Sequence, residues 1–457
     1  MQPRNLSKRL ILVFVAWKVL LFAVAALSPG PGYDTSAFIA SSPTSLRHTE
    51  FKSWSRLDRL SLNLFRWDAL YFVKSAQRGY LYEQEWAFSW AYSLLIKTVV
   101  KLITGNTHHP LKIYVWTAIL ISNSCHLASA LFLYRLLNVL LGHQQNARLP
   151  FIASVLHIVS PAGVFLSSAY AESLFAALNF LGMLQYTQAR VPDRPYKRQT
   201  IREDALILSA GVLFLLATWV RSNGLLSGLL FVFDVIGCVP SLMKMQLSRN
   251  DIRRLAITCI SGALLGLGSL LPQYVAFREY CTAESSSGAR PWCYKTIPSI
   301  YTWVQSNYWD VGFLRYWTAS NLPLFVIAAP MLWLLLRSGI DHLRNPAHFS
   351  VKPRHIQPDG ADRDTKDLNT TSGNLPQLAL PQLVLAITAI SNFHVQVINR
   401  LSSGYPIWYL AVARWLIAHD TAQRKEQEHR AAQWVCRGLV VYAIVQGALF
   451  ANFLPPA

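Results

Sequence analysis

The chain has 457 residues, of which 53% are hydrophobic and only 14% are charged. Soluble domains carry about a quarter charged residues, so this composition excludes a water-soluble globular protein. The aromatic content excludes a disordered chain, and six cysteines are too few for a small disulfide-rich scaffold. We attribute the net charge of +19 to cytoplasmic loops of a membrane protein rather than to nucleic-acid binding. Composition therefore predicts a polytopic membrane protein.

A basic N-terminus precedes an apolar run from Ile11 to Leu27, which only Lys18 interrupts. This run is longer than the ~7–15 apolar residues of a signal peptide, so it predicts a retained signal anchor with a cytosolic N-terminus. Segment 28–87 then becomes a first lumenal loop. Hydrophobic residues at every third position from Phe51 to Leu60 predict a helix in the membrane interface within that loop.

Eleven further apolar segments follow this anchor. They cover 88–104, 112–136, 150–166, 168–186, 205–220, 225–238, 255–277, 321–336, 377–393, 405–418 and 435–453. Several are shorter than the ~20 residues of a simple span, which predicts re-entrant or broken helices.

Basic linkers between these segments predict the topology, because positive residues gather on the cytosolic side. We assign to the cytosol the linkers 187–204, 239–254, 337–376 and 419–434. The polar part of the third, 345–376, is expected to be a flexible loop, and 278–320 becomes a second lumenal loop. The number of membrane crossings before residue 187 fits the assigned sides only if one apolar segment is re-entrant, leaving the membrane on the side where it entered. The sequence does not identify which segment this is.

Two carboxylates lie in segments assigned to the lumenal side. Asp68 follows Arg66 and Trp67, and a carboxylate at a membrane surface can act as a general base. It equally fits a pair with Arg66 or a helix cap. Glu172 interrupts an apolar stretch, where a charge costs about 2.5–3.5 kcal/mol on insertion scales. It is expected to face a cavity or a partner, with a structural hydrogen bond as the alternative.

Later segments add cations, amides and aromatic rings. Arg221 lies at a polar break and suits bidentate phosphate binding, although a simple hairpin turn explains it equally. The other candidates are Asn223, Trp309, Arg315, His394, Gln396 and Arg400. The aromatic loop 301–321 is typical of an interfacial belt, and its rings also suit sugar stacking.

Motifs for nucleotide and metal binding are missing from the sequence. We find no P-loop, GxGxxG, HExxH or CxxC pattern, so no metal site is predicted. Cys281 and Cys293 flank a hydrophilic stretch of the second lumenal loop, where an oxidising lumen would allow them to pair.

Six motifs together resemble the PIG-V family of eukaryotic GPI mannosyltransferases. The residues of the C-terminal motifs are most similar to those of fungal members. The six motifs are FRWDALYF (65–72), GYLYEQEWAF (79–88), SPAGVFLSSAYAESLF (160–175), RSNGLL (221–226), YWDVGFLRYWTASNLPLF (308–325) and HVQVINRLSSGYP (394–406). They span most of the chain in the family's order.

The resemblance implies one all-α GT-C-like membrane domain over 1–457, with roughly 8–12 transmembrane or re-entrant helices. It implies an endoplasmic reticulum enzyme with a lumenal active site. Such an enzyme transfers mannose from dolichyl-phosphate mannose to a GPI-anchor precursor, as the second mannose, through an α-1,6 bond. A β-linked donor and an α-linked product make the reaction inverting, which requires one base.

The resemblance also assigns expected roles. Asp68 is the first candidate for the base, with Glu85 and Glu172 as alternatives. Expected substrate contacts are Arg66, Trp67, Arg221, Asn223, Trp309, Arg315, His394, Gln396 and Arg400. We expect no cofactor and no metal; the expected partners are the two lipid-linked substrates, the membrane and a small accessory membrane subunit. A lipid transporter or scramblase, or a non-catalytic subunit of a glycosylation complex, is the competing hypothesis.

Overall fold

The computed structural model describes residues 3–29, 55–106, 109–142, 147–191, 200–282, 290–345, 375–417 and 423–452. Within these ranges the regular structure is helical, without β-strands. The helices are α1 (Pro3–Leu27), α2 (Arg56–Asn63), α3 (Ala69–Arg78), α4 (Trp90–Thr104), α5 (Leu111–Leu141), α6 (Arg148–Ile158), α7 (Glu172–Arg190), α8 (Thr200–Val220), α9 (Leu229–Met243), α10 (Arg249–Cys281), α11 (Ile300–Tyr308), α12 (Leu322–Arg344), α13 (Leu380–Ser391), α14 (Ile398–Leu401), α15 (Ile407–Ile417) and α16 (Gln423–Ala451).

Membrane-spanning helices dominate the described residues. Seven segments there are long and apolar enough to cross a bilayer: Asn5–Leu27, Leu111–Leu141, Ile201–Val220, Ser222–Met243, Arg249–Cys281, Ala319–Arg344 and Glu426–Ala451. Shorter apolar helices, such as α6 and α15, lie among them, as the short hydrophobic runs predict. The predicted all-α polytopic membrane fold is confirmed.

Helices α5, α7, α8 and α10 form a bundle in which each packs against the next. Non-helical breaks collect at one end of this bundle, which we call the loop-rich end. It contains the turn 64–68, the segment 159–171, the turn at 221 and the stretch 392–394. Asp68, Arg221 and His394 lie in these breaks, and Glu172 directly follows one of them.

Helix α4 packs beside α3, and the chain contacts α3 on both sides of it. Ser93 near its start donates a hydrogen bond to the carbonyl of Phe72 on α3 at 3.0 Å. After the helix ends, the carbonyl of His109 accepts a bond at 3.2 Å from Gln77, also on α3. The chain therefore contacts α3 near the start of α4 and again five residues after its end. The 15 residues of α4 rise only about 22 Å, short of a ~30 Å hydrocarbon core.

The predicted boundaries 150–166 and 168–186 are wrong. Helix α6 ends at Ile158 and α7 begins at Glu172, so thirteen residues between them form a buried, non-helical segment. The break follows from Pro161, because a proline disfavours the α-helical conformation at the preceding residue. Glu172 thus opens a helix instead of interrupting one, where the positive end of the helix dipole favours an acid.

Two predicted loop features fall partly outside the described residues. The interfacial helix of the first loop appears as α2, whose Leu57 is 63% exposed, whereas Phe51 lies outside the described ranges. Most of the loop 345–376 also lies outside them.

Candidate active site

A buried turn between α2 and α3 places Asp68. Asn63 anchors the turn to α1 by donating to the carbonyl of Ala25 at 3.0 Å, and it accepts a bond from the buried Arg66 at 3.2 Å. Trp67 has a φ of 54°, a conformation that costs a non-glycine residue about 1–3 kcal/mol. Asp68 directly precedes α3 but makes no side-chain capping bond. The carboxylate of Asp68 is therefore available for contacts other than a helix cap.

Asp68 begins an alternating chain of charges at the loop-rich end. Nη1 of Arg400 lies 2.7 Å from Oδ2 of Asp68, and its Nε lies 3.6 Å from Oε1 of Glu172. Nη1 of Arg221 donates to the same oxygen of Glu172 at 2.7 Å. We call Asp68, Arg400, Glu172 and Arg221 the ion-pair chain. Four segments distant in sequence supply its members, and its formal charges cancel.

Exposure separates the two acids of the ion-pair chain. The Glu172 side chain is 1% exposed, whereas that of Asp68 is 27% exposed. Burial lowers the pKa of Arg400, but the charges of Asp68 and Glu172 offset this and hold the pKa above its usual value. The ion-pair chain therefore has one accessible carboxylate, Asp68. Its other members are two cations and one buried acid.

Aromatic rings line the buried side of Arg400. Its guanidinium carbon lies 5.3 Å from the Phe165 ring centroid and 5.8 Å from that of Tyr170. The Tyr170 hydroxyl also donates to the carbonyl of Arg66 at 3.2 Å, which ties the segment 159–171 to the Asp68 turn. We did not single out either ring from the sequence, although both lie within the motif 160–175.

Glu85 belongs to a different cluster. Its carboxylate pairs with Arg78 at 2.6 Å and accepts bonds from the backbone amides of Leu81 and Tyr82 at 2.8 and 3.2 Å. Its side chain is 3% exposed. These contacts give Glu85 a structural role in closing the turn after α3.

A row of aromatic rings leads from Asp68 to the second loop. Tyr71, one turn further along α3, stacks on Phe88 at 4.2 Å, and Phe88 meets Trp309 edge-on at 5.5 Å. Burial and the charges of Asp68 and Glu85 raise the pKa of the Tyr71 hydroxyl. The row forms an aromatic surface beside the accessible carboxylate.

His394 and Gln396 support the far end of this row. Nε2 of His394 lies 3.0 Å from the carbonyl of Trp309, and its ring stacks on Tyr316 at 4.7 Å. The Tyr316 hydroxyl donates to Gln396 at 3.1 Å. These two candidates thus hold the aromatic loop in place.

Arg221 and Asn223 define the turn that follows α8. A Cβ on Gly224 would lie 2.6 Å from the backbone nitrogen of Thr218, so only glycine fits this close reversal. The Asn223 side chain donates to the Tyr405 hydroxyl at 3.0 Å. The turn therefore holds Arg221 against the segment that carries Arg400.

Arg315 lies apart from the ion-pair chain. It pairs with Asp310 at 3.2 Å on the aromatic loop, and the two side chains are 55% and 79% exposed. Such an exposed pair contributes little stability.

The second loop is covalently closed and attached to the first. Cys281 and Cys293 form a disulfide with a Cα–Cα distance of 5.6 Å. Next to it, Trp292 donates from its indole nitrogen to Glu83 of the first loop at 3.1 Å. Trp303 donates to the same carboxylate at 3.4 Å.

Across the ranges that the structure describes, no group of three or more His, Cys, Asp or Glu side chains lies close enough to hold a metal ion.

Comparison with known proteins identifies the family. The family model described as Mannosyltransferase (PIG-V) matches residues 7–457. The chain belongs to the PIG-V mannosyltransferase family. Its relatives named GPI mannosyltransferase 2 include one from Aspergillus oryzae, 37% identical over 100% of this chain and 97% of the relative. Another, from Chaetomium globosum, is 39% identical over 98% and 96%. The family assignment confirms the resemblance seen in the six motifs.

Solved structures give weaker similarities. The Archaeoglobus fulgidus oligosaccharyltransferase in the apo form has a TM-score of 0.46 at 12% identity, covering 96% of this chain and 56% of that one. ArnT from Cupriavidus metallidurans in the apo state has a TM-score of 0.32 at 13% identity, covering 96% and 72%. Scores below 0.5 do not establish a shared fold.

Proposed function

We propose that this family member transfers mannose from dolichyl-phosphate mannose to a GPI-anchor precursor at the loop-rich end of its helix bundle. The names of its full-length relatives support the GPI precursor as acceptor. The ion-pair chain supports the reaction, because it combines one accessible carboxylate with two arginines beside an aromatic surface.

Asp68 is the proposed general base. A base must reach the hydroxyl proton of the acceptor, and the buried Glu172 and Glu85 side chains are only 1% and 3% exposed. Asp68 is 27% exposed, and Arg400 binds only its Oδ2 among the described contacts. The bond to Arg400 orients the carboxylate, so that Oδ1 can face the acceptor.

The proposed step is a single in-line displacement. The acceptor hydroxyl oxygen attacks the anomeric carbon of mannose while Asp68 takes the hydroxyl proton. The bond between that carbon and the phosphate oxygen breaks, and dolichyl phosphate leaves with the bonding electrons. Attack from the face opposite the phosphate inverts the anomeric configuration, as the change from a β-linked donor to an α-linked product requires.

Arg221 and Arg400 are the proposed phosphate ligands. In the described part of the chain, Arg221 uses one of its five N–H donors, on Glu172, which leaves others for a phosphate. Charge on the leaving phosphate grows in the transition state, where preorganised cations stabilise it. Glu172 holds both guanidiniums in place before the donor arrives. Trp67, Trp309 and the row between Tyr71 and Trp309 are the proposed sugar or lipid contacts.

The finer assignments are part of the same proposal. The product is the second mannose of the GPI core, joined by an α-1,6 bond. The enzyme is a GT-C protein of the endoplasmic reticulum membrane, with a cytosolic N-terminus, a lumenal site and a small accessory membrane subunit. Neither a metal nor another cofactor takes part, since the arginines supply the positive charge.

A transfer assay tests this function. Purified enzyme receives radiolabelled dolichyl-phosphate mannose and GPI precursors carrying no, one or two mannoses. We expect label only on the one-mannose precursor, in a linkage that an α-1,6-mannosidase removes. Label on another precursor would correct the acceptor. Movement of lipid across proteoliposomes without transfer would favour the transporter hypothesis.

A further inference from the structure

Lys18 is an ionisable residue in the membrane-spanning helix α1, and the proposed reaction does not use it. It lies in the middle of the apolar run, yet its side chain is buried inside the bundle, with the residue only 5% exposed. A lysine at membrane depth is costly, so its presence indicates a specific partner.

Its partners are polar groups of the broken segment 159–171. The Lys18 nitrogen donates to the carbonyl of Leu166 at 2.8 Å and to the hydroxyl of Ser167 at 2.7 Å. Backbone groups in a buried non-helical segment lack the regular partners of a helix, so they need side-chain donors. Lys18 supplies one of these donors from another helix.

The same segment positions the ion-pair chain. The Leu166 carbonyl also accepts a bond from Ser173, the neighbour of Glu172, at 3.1 Å. A few residues along, Tyr170 reaches the Asp68 turn through the carbonyl of Arg66. A shift of this segment would therefore move Glu172 and the support of Asp68 together.

We propose that Lys18 is a positioning residue, which fixes the segment 159–171 and through it the placement of Glu172 and Tyr170 around Arg400. This inference depends on the proposed role of the ion-pair chain. Helix α1 then forms part of the active-site scaffold as well as a membrane anchor. Lys18 itself is not expected to contact substrate.

Lys18→Met removes the donor while keeping a long side chain, and it makes α1 more apolar, so membrane insertion should not suffer. Misplacement of catalytic groups by about 1 Å can cost up to ~100-fold. We expect kcat to fall about 10- to 100-fold with a smaller rise in the donor KM, because the lipid contacts remain while the groups around Arg400 shift. The matched control is Asn138→Leu on α5. Asn138 bonds, among the described contacts, only to Tyr134 of its own helix, and its loss should leave kcat unchanged.

A double-mutant cycle separates positioning from general stability. Ser173→Ala removes the other donor to Leu166, so the effect of the double variant should differ from the product of the two single effects. Effects that simply multiply would overturn the proposal, as would wild-type kcat in Lys18→Met at matched abundance.

Hydrogen exchange provides a readout that does not depend on the donor. Exchange of the amides between 159 and 171 should become about tenfold faster or more in Lys18→Met, with α5 still protected. Unchanged exchange in this segment would also overturn the proposal. If wild-type enzyme proves inactive with dolichyl-phosphate mannose, the proposed function fails, and exchange still decides the role of Lys18.

Discussion

Replacing Asp68 with asparagine tests the proposed base most directly. The amide keeps the size and shape of the side chain and can still accept a bond from Arg400, but it cannot take a proton from the acceptor. Loss of a general base costs about 10²–10⁴-fold in rate. This corresponds to about 2.7–5.4 kcal/mol of transition-state stabilisation, at 1.36 kcal/mol for each factor of ten.

The same substitution should hardly change the stability of the protein. Asp68 is 27% exposed and the amide oxygen still accepts a bond from Arg400, so the substitution should cost less than the ~3–5 kcal/mol of breaking a buried ion pair. Arg400 also keeps its second carboxylate, Glu172. A typical domain is stable by about 5–15 kcal/mol, so abundance should stay close to normal. The expected loss of activity is therefore much larger than any loss of folded protein.

The assay measures single-turnover transfer of labelled mannose at matched enzyme abundance. The control is Asp58→Asn, because Asp58 is 28% exposed and also pairs with a cation, Lys112, but lies outside the ion-pair chain. We expect normal transfer by the control and a loss of at least about 100-fold for Asp68→Asn. Transfer by Asp68→Asn within a few-fold of wild type would refute this assignment, and Glu172 would become the first candidate for the base.

Three further predictions concern the phosphate site, metal ions and the second loop. Arg221→Lys or Arg400→Lys should weaken donor use about tenfold or more, because an ammonium cannot make the paired bonds of a guanidinium and the loss of one charge-assisted bond costs about 1.5–3 kcal/mol; unchanged donor saturation would contradict this. Transfer should persist in EDTA, because the two guanidiniums supply the positive charge, whereas inactivation that magnesium or manganese reverses would demand a metal site. In denatured protein, an alkylating reagent should label Cys281 and Cys293 only after reduction, and labelling of both without reductant would disprove the disulfide.

Local sequence patterns predicted much of the fold and many of the site residues. Hydropathy identified the membrane class and most helical segments, because insertion into a bilayer depends on the composition of each segment. The same patterns drew attention to Asp68 and Glu172, since charged residues stand out in apolar surroundings. Pro161 was a sequence signal for the helix break before Glu172, although the predicted segment boundaries did not use it.

Only the tertiary structure distinguished between the three carboxylates that the sequence offered as the base. Burial of Glu172 and the backbone contacts of Glu85 leave Asp68 as the accessible acid, and exposure depends on neighbours from distant segments. The meeting of Arg221 and Arg400 at one carboxylate likewise depends on how separate helices approach, as does the link from Lys18 to the broken segment. Sequence by itself determined which segments enter the membrane and where polar groups interrupt them. The packing of the broken helices decided which of those groups meet, because each contact joins residues that no local pattern relates.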